Sequence, residues 1–205
     1  MRSKSVEWLT NRDYMINKVE EIKQIPKHQN GIHLHLGCGC HIFEGFLNID
    51  KYQEHAQVLN CDILKMPFTN ESVDTIYSSH SLEHLPIRSA NAALAYWYKL
   101  LKPDGVLYLA VPDLEEVCSI LLDPNINDNL KFEWYMYVLF GWQTTIGLRT
   151  NAFDTSAPVD PGQFHCTGFT KKRLIDILTN IGFKVEKCIN YDGWDTPSIW
   201  LEVKK

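Results

Sequence analysis

The sequence predicts an α/β fold, a mostly parallel seven-stranded sheet with helices on both faces. Three observations carry this. Short β-branched or aliphatic runs alternate with amphipathic helical stretches, the pattern of strands joined by crossover helices. The first strand ends on a glycine turn, Gly37-Cys38-Gly39. No repeat, low-complexity stretch or linker divides the 205 residues, so positions 1–205 are expected to form one domain.

The elements follow in order. Val6, Leu9, Met15, Ile16, Val19, Ile22 and Ile25 recur at helical spacing, so residues 1–30 read as a helical cap closed by Pro26. Ile32–Leu36, Phe46–Asp50, Gln57–Asp62 and Val73–Ser79 are the first four strands. Residues 88–101 form a helix with a tight stop at Lys102-Pro103-Asp104-Gly105, and Val106–Val111 is the fifth strand, ended by Pro112. Residues 113–122 and 129–141 read as helices and 143–168 as a long loop. Thr170 caps an amphipathic helix that stops at Gly182. Phe183–Asn190 and Ser198–Val203 complete the sheet.

Composition narrows the function classes. A net charge of -5 disfavours a nucleic-acid partner, whose phosphates require clustered Lys and Arg. No apolar run approaches the roughly 20 residues that span a bilayer, and charges interrupt the N-terminus where a signal peptide would be apolar. Six scattered cysteines without a secretion signal read as reduced thiols in a cytoplasmic protein.

Ligands of open α/β sheets bind beyond the carboxyl ends of the strands. There, Gly37 and Gly39 allow the backbone to approach a ligand, and Asp50, ending the second strand, can accept from both hydroxyls of a ribose. A dinucleotide site needs a third glycine and a helix N-terminus for the pyrophosphate. The turn instead continues Cys40-His41-Ile42-Phe43-Glu44-Gly45, too short for a crossover helix of about a dozen residues. A ribose acid without a phosphate cradle favours S-adenosylmethionine over a nicotinamide dinucleotide.

Four segments then carry a resemblance: Leu34–Gly39 with Gly45–Asp50; Cys61-Asp62-Ile63-Leu64 with Met66-Pro67-Phe68; Ser79-His80-Ser81-Leu82-Glu83-His84-Leu85; and Leu100–Gly105 leading into Val111-Pro112-Asp113. In this order and spacing the chain resembles the class I methyltransferases, the methyltransferase type 11-like group, from about residue 32 to the C-terminus. The resemblance implies a Rossmann-like fold and S-adenosylmethionine as cofactor. By position it puts Gly37, Cys38 and Gly39 under the methionine part, Asp50 on the ribose, Asp62 on the adenine amino group and Ile63 on the ring. Ser79 and His80 would border the sulfonium. His35 stands where the family often has an acid or amide, weakening the expected ammonium contact, and His41 stands at the usual third glycine.

Methyl transfer from a sulfonium needs alignment and desolvation, and a hydroxyl acceptor also needs a base. His80, His84 and His165 are the candidates, with His84 or His165 expected near the acceptor and Asp113 as an orienting group. The segment 112–168 is expected to build the acceptor side, with Phe132, Trp134, Tyr135, Tyr137, Phe140, Trp142, Phe153 and Phe164 as pocket, core or homodimer interface. The expected acceptor is a small molecule, an oxygen of a sugar or secondary metabolite. His33, His35, Cys38, Cys40 and His41 lack the two separated ligand pairs of a zinc site, so no metal is expected. A cofactor-binding domain without turnover is the alternative of a different class, and a nicotinamide-dependent oxidoreductase a weaker one.

Overall fold

The structure is a computed structural model that describes residues 6–127, 135–141, 161–193 and 196–205. Its sheet has seven strands: β1 (His33–Leu36), β2 (Leu47–Asp50), β3 (Val58–Asn60), β4 (Val73–Ser79), β5 (Leu101–Pro112), β6 (Lys184–Gly193) and β7 (Thr196–Lys204). The order across the sheet is β3-β2-β1-β4-β5-β7-β6. β1 to β5 run parallel to one another, and β7 is antiparallel to both β5 and β6. The order reverses between β1 and β4, which opens a crevice at their carboxyl ends.

Helices cover both faces, as the sequence pattern requires. On one face lie α2 (Ile87–Leu100) and the amphipathic helix Lys171–Ile181. α2 buries Ala90, Ala93, Leu94, Trp97 and Leu100, a stripe at helical spacing. They join Leu174 and Leu178 from the other helix against Leu34, Leu36, Ile76 and Leu109 of the sheet. Thr170 caps the helix Lys171–Ile181 by accepting from the Arg173 N–H at 3.3 Å. Gly182 ends it at φ +120°, a conformation a Cβ resists.

The opposite face is covered by α1 (Val6–His28), whose Met15 and Ile22 pack with Phe43, Phe46, Tyr77, Tyr108 and Trp200. The connections after β1 and β2 are too short to supply helices there, so α1 takes their place. It runs past Pro26, where the sequence predicted its end. Proline removes only its own N–H, and the Ile25 carbonyl still accepts from the Gln29 N–H at 2.9 Å.

β5 also begins earlier than expected, at Leu101. Val73 pairs with Leu101 and Thr75 with Val106, so the predicted stop at residues 102–105 is looped out as a bulge within the strand. Between these elements lie α3 (Leu114–Leu122) and α4 (Met136–Phe140); the helix Lys171–Ile181 is α5 hereafter. Phe132, Trp134, Trp142 and Phe153 lie outside the described residues. Among the described residues no helix is long and apolar enough to cross a membrane.

Asp74 ties the amino ends of the central strands together. Its carboxylate accepts from the Ile32 N–H at 2.9 Å and from Lys102 Nζ at 2.8 Å on both oxygens. Burial opposes its ionisation, but these donors outweigh it and hold the carboxyl below its ordinary range. The side chain stays 27% exposed, so solvent screens the pair and Asp74→Asn should cost about 1 kcal/mol at neutral pH. A depressed folded-state pKa stabilises above the unfolded value and stops doing so as pH falls through the folded one. Urea unfolding of both proteins should therefore converge in strong acid; equal midpoints at pH 7 would refute this role.

Candidate active site

The crevice is a cleft of about 1070 Å³ lined from both sides of the switch point. Its floor is the turn after β1. Gly37 and Gly39 adopt φ +62° and +53°. The Gly37 and Cys38 N–H groups both donate to the Ile49 carbonyl, at 2.8 and 3.2 Å, stitching the turn to β2. A Cβ on Gly37 would lie 2.2 Å from Ser81 Cβ, whereas one on Gly39 would meet nothing within 4 Å. Gly37 is thus needed for packing, and Gly39 presents bare backbone.

Asp50 is held by two backbone donors, the Gly39 N–H on Oδ2 at 2.9 Å and the Tyr52 N–H on Oδ1 at 2.8 Å. Each oxygen keeps a lone pair for a further donor. Asp62 accepts from the Leu64 N–H at 3.0 Å and pairs with Lys51 Nζ at 3.0 Å. Burial works against its charge, but these contacts prevail and lower its pKa. Ile63 is buried beside it, and its carbonyl accepts from Trp97 Nε1 at 3.0 Å, so α2 fixes the segment that carries Asp62. Gly37, Cys38, Gly39, Asp50, Asp62, Ile63, Ser79, His80, His84 and His165 all line this one cleft.

His35 also lines the cleft while only 3% exposed, packed between Phe43 and Tyr77. Its Nδ1 lies 3.1 Å from Asn48 Oδ1. That amide is oriented by its neighbours: Oδ1 accepts from the Phe43 N–H, and Nδ2 donates to the Phe43 and Phe46 carbonyls. His35 Nδ1 must therefore carry the proton, and Nε2 keeps the lone pair. Burial pushes the imidazole down to about 4, with Asn48 opposing, so it is neutral at physiological pH. Cys38, pushed up to about 11 by burial and then by the Asp50 charge, is a neutral thiol.

At the far side of the cleft three histidines surround Glu83. His80, at φ +52° just beyond β4, places Nδ1 3.3 Å from Glu83 Oε1 and Nε2 3.4 Å from Ser198 Oγ. His84 and His165 meet edge to face with centroids 4.8 Å apart. Their Nδ1 atoms lie 3.1 Å from the Phe164 carbonyl and 2.8 Å from the Val138 carbonyl. Burial lowers the His165 pKa, against the pull of Glu83. Burial alone would raise Glu83, but His80, then His84 and His165, outweigh it and hold the carboxyl below its usual range. Glu83 was given no role by sequence; its place beside His84 and three residues after His80 is the signal in the segment Ser79–Leu85 that points to it.

Asp113 is not brought to the histidines. Its Oδ1 caps α3 by accepting from the Glu115 and Glu116 N–H groups at 3.1 and 3.4 Å, and Oδ2 accepts from Asn190 Nδ2. A carboxylate with three donors has little left to orient an imidazole, which corrects its expected catalytic part. The run from His33 to His41 does not converge either: His33 bonds the Gln29 carbonyl and His35 bonds Asn48. All six cysteines are free.

Residues 32–109 match the family model described as "Methyltransferase domain". The match covers residues 32–109 of the 205, and over the rest of the chain the likeness to solved methyltransferase structures is one of fold. The solved structures it resembles include a Pyrococcus horikoshii protein (16% identity, 94% of this chain and 90% of that one, TM-score 0.59). Another is the Burkholderia thailandensis 1,6-didemethyltoxoflavin methyltransferase with bound S-adenosylhomocysteine (13%, 97% and 84%, TM-score 0.56). A third is magnesium protoporphyrin IX methyltransferase from Synechocystis, also with S-adenosylhomocysteine (14%, 94% and 81%, TM-score 0.55). A curated relative, an uncharacterized protein of Haemophilus influenzae, is 34% identical over 55 residues, spanning 27% of this chain and 22% of that protein.

Proposed function

We propose that this chain transfers the methyl group of S-adenosylmethionine to an oxygen of a small-molecule acceptor, a sugar or a secondary metabolite. One observation carries the reading: a single cleft joins a phosphate-free nucleoside end, Gly37 to Gly39 with Asp50, Asp62 and Ile63, to a histidine end with His80, His84 and His165. Asp50 takes the ribose hydroxyls on its free lone pairs. Asp62 accepts from the adenine amino group, and Ile63 packs on the ring. The neutral His35 offers its Nε2 lone pair to the cofactor's ammonium group, in the place of the more usual acid or amide. Ser79 and His80 border the sulfonium.

The acceptor enters from the 112–168 side, where Tyr137, Gln163 and His165 line the wall. Its hydroxyl loses a proton to Nε2 of His84 or His165. The oxygen then forms a bond to the methyl carbon as the carbon–sulfur bond breaks, and the sulfonium leaves as neutral S-adenosylhomocysteine. The net charge of -5 and the free thiols support a small-molecule substrate and a cytoplasmic setting.

Calorimetry with S-adenosylhomocysteine tests the cofactor end. The wild type should bind it and ignore NAD, and Asp50→Ala should bind at least about tenfold more weakly, since a hydrogen bond to a charged group contributes about 1.5–3 kcal/mol. Binding by the wild type opens the way to a screen of hydroxylated acceptors. A wild type that does not bind S-adenosylhomocysteine would sink the proposal.

A further inference from the structure

Glu83 is the feature the methyl-transfer reading leaves unexplained. Its side chain is 1% exposed, and neither carboxylate oxygen meets a donor in full hydrogen-bond geometry; its ion-pair contact is His80 Nδ1, 3.3 Å from Oε1. A buried carboxylate without donors is costly, so native structures supply a cation or a set of hydrogen bonds.

The neighbours of Glu83 are arranged as acceptors. A carbonyl oxygen can only accept, so the contacts to Phe164 and Val138 put the proton on Nδ1 of both His84 and His165. In its neutral form each ring then carries a lone pair on Nε2. Metal-bound histidines are held in this way, with the second ring nitrogen donating to a backbone carbonyl that fixes tautomer and orientation. Ligand-capable atoms of Glu83, His84 and His165 all lie within 4.8 Å of one another, the one such cluster among the described residues.

Backbone hydrogen bonds bring this cluster together. Glu83 and His84 are adjacent on the single 3-10 turn Leu82–His84. His165 arrives from the distant segment before α5, where the Cys166 and Thr167 N–H groups donate to the Glu83 carbonyl at 2.8 and 3.1 Å. The His165 N–H donates to the Phe140 carbonyl at 3.0 Å.

We propose that Glu83, His84 and His165 bind one divalent transition-metal cation of the zinc class, against the sequence expectation of no metal. Two imidazoles and a carboxylate are a donor set of catalytic zinc, which keeps a further position for water or substrate. Ligands about 2.0–2.1 Å from zinc sit roughly 3.3 Å apart, so loading draws the side chains together by at most about 1.5 Å. All three residues line the cleft.

What the cation does there rests on the methyl-transfer reading. Held by Glu83, His84 and His165, it would supply Lewis acidity that lowers the pKa of an acceptor hydroxyl, in the place of the imidazole base.

The test uses the whole chain, stripped with a chelator and titrated with Zn²⁺ by calorimetry, with the metal counted by mass spectrometry. One zinc per chain is expected, weakened at least tenfold in Glu83→Gln and in His84→Gln and unchanged in His55→Gln. Circular dichroism checks that each variant is folded, and either of the two ligand variants suffices. Co²⁺ should give visible d–d bands without a thiolate charge-transfer band, separating this site from Cys166 and the other free thiols. No stoichiometric zinc, binding unaltered in a folded ligand variant, or a thiolate band would overturn the site. S-adenosylhomocysteine is titrated separately. Zinc bound without it would leave the cation site standing and remove the methyl-transfer reading; the converse result would do the opposite.

Discussion

Gly37→Ala should lower the melting temperature by roughly 6–12 °C, the largest loss expected from any single methyl group added to the cleft. Two costs combine. Alanine at φ +62° bears about 1–2 kcal/mol of left-handed strain. Its Cβ would also fall 2.2 Å from Ser81 Cβ and 2.8 Å from Ser81 Oγ. Ser81 cannot yield freely, because it is buried and its Oγ is 2.6 Å from Ser78 Oγ. Overpacking of this kind costs about 1–3 kcal/mol, giving a total near 3 kcal/mol, and a chain of this size loses about 2–4 °C per kcal/mol. Gly39→Ala is the control. It has the same sign of φ but open space around the new methyl, so only the strain of about 1 kcal/mol should appear. Adding Ser81→Gly to Gly37→Ala should recover part of the loss. Thermal unfolding that ranks Gly39→Ala as equal to or worse than Gly37→Ala would contradict this account of the turn.

Acidification should remove roughly 3 kcal/mol of stability through His35 alone. The imidazole titrates near 6.5 in the unfolded chain but at about 4 in the folded one, because burial disfavours the charged ring. Between these values the unfolded state binds the proton and the folded state does not. Stability is therefore full above pH 6.5 and falls as pH drops toward 4. The carboxyls with lowered pKa, Asp62, Asp74 and Glu83, lose their contributions only further into acid, so the two limbs are separable. His35→Asn keeps a donor for Asn48 and has nothing to titrate. Urea unfolding from pH 7.5 to 4.5 should show a steep decline in the wild type and a flatter one in the variant. Parallel curves would mean that His35 is not held neutral by the fold.

Much of the fold is legible in local sequence because its causes are local. The limits of β4 follow from a β-branched run, and those of α5 from Thr170 and Gly182, signals that act within a turn or two of the chain. The short stretch from Gly39 to Phe46 rules out a crossover helix by length alone. Where a boundary depended on partners, the local signal failed. Pro26 did not end α1 because the Ile25 carbonyl still found the Gln29 N–H. The stop at residues 102–105 became a bulge because β4 supplied strand pairing on both sides of it.

The candidate site divides in the same way. The glycine turn and Asp50 were readable because positive φ restricts residue choice and a strand-end acid has a fixed place relative to that turn. His84 and His165 were readable only as residues of suitable chemistry. That they meet, with the buried Glu83 close by, depends on how the segment before α5 docks on the turn Leu82–His84. Asp113 had equally suitable chemistry, and packing committed it to the end of α3 instead. By itself the sequence determined the α/β class, the mostly parallel sheet and the places of the glycine turn and the strand-end acid that line one end of the cleft, since periodicity, chain length and backbone conformation are properties of neighbouring residues. Only the tertiary structure decided which titratable groups face one another and which are stripped of water, because burial and long-range contact set protonation, and neither is written in any single stretch of chain.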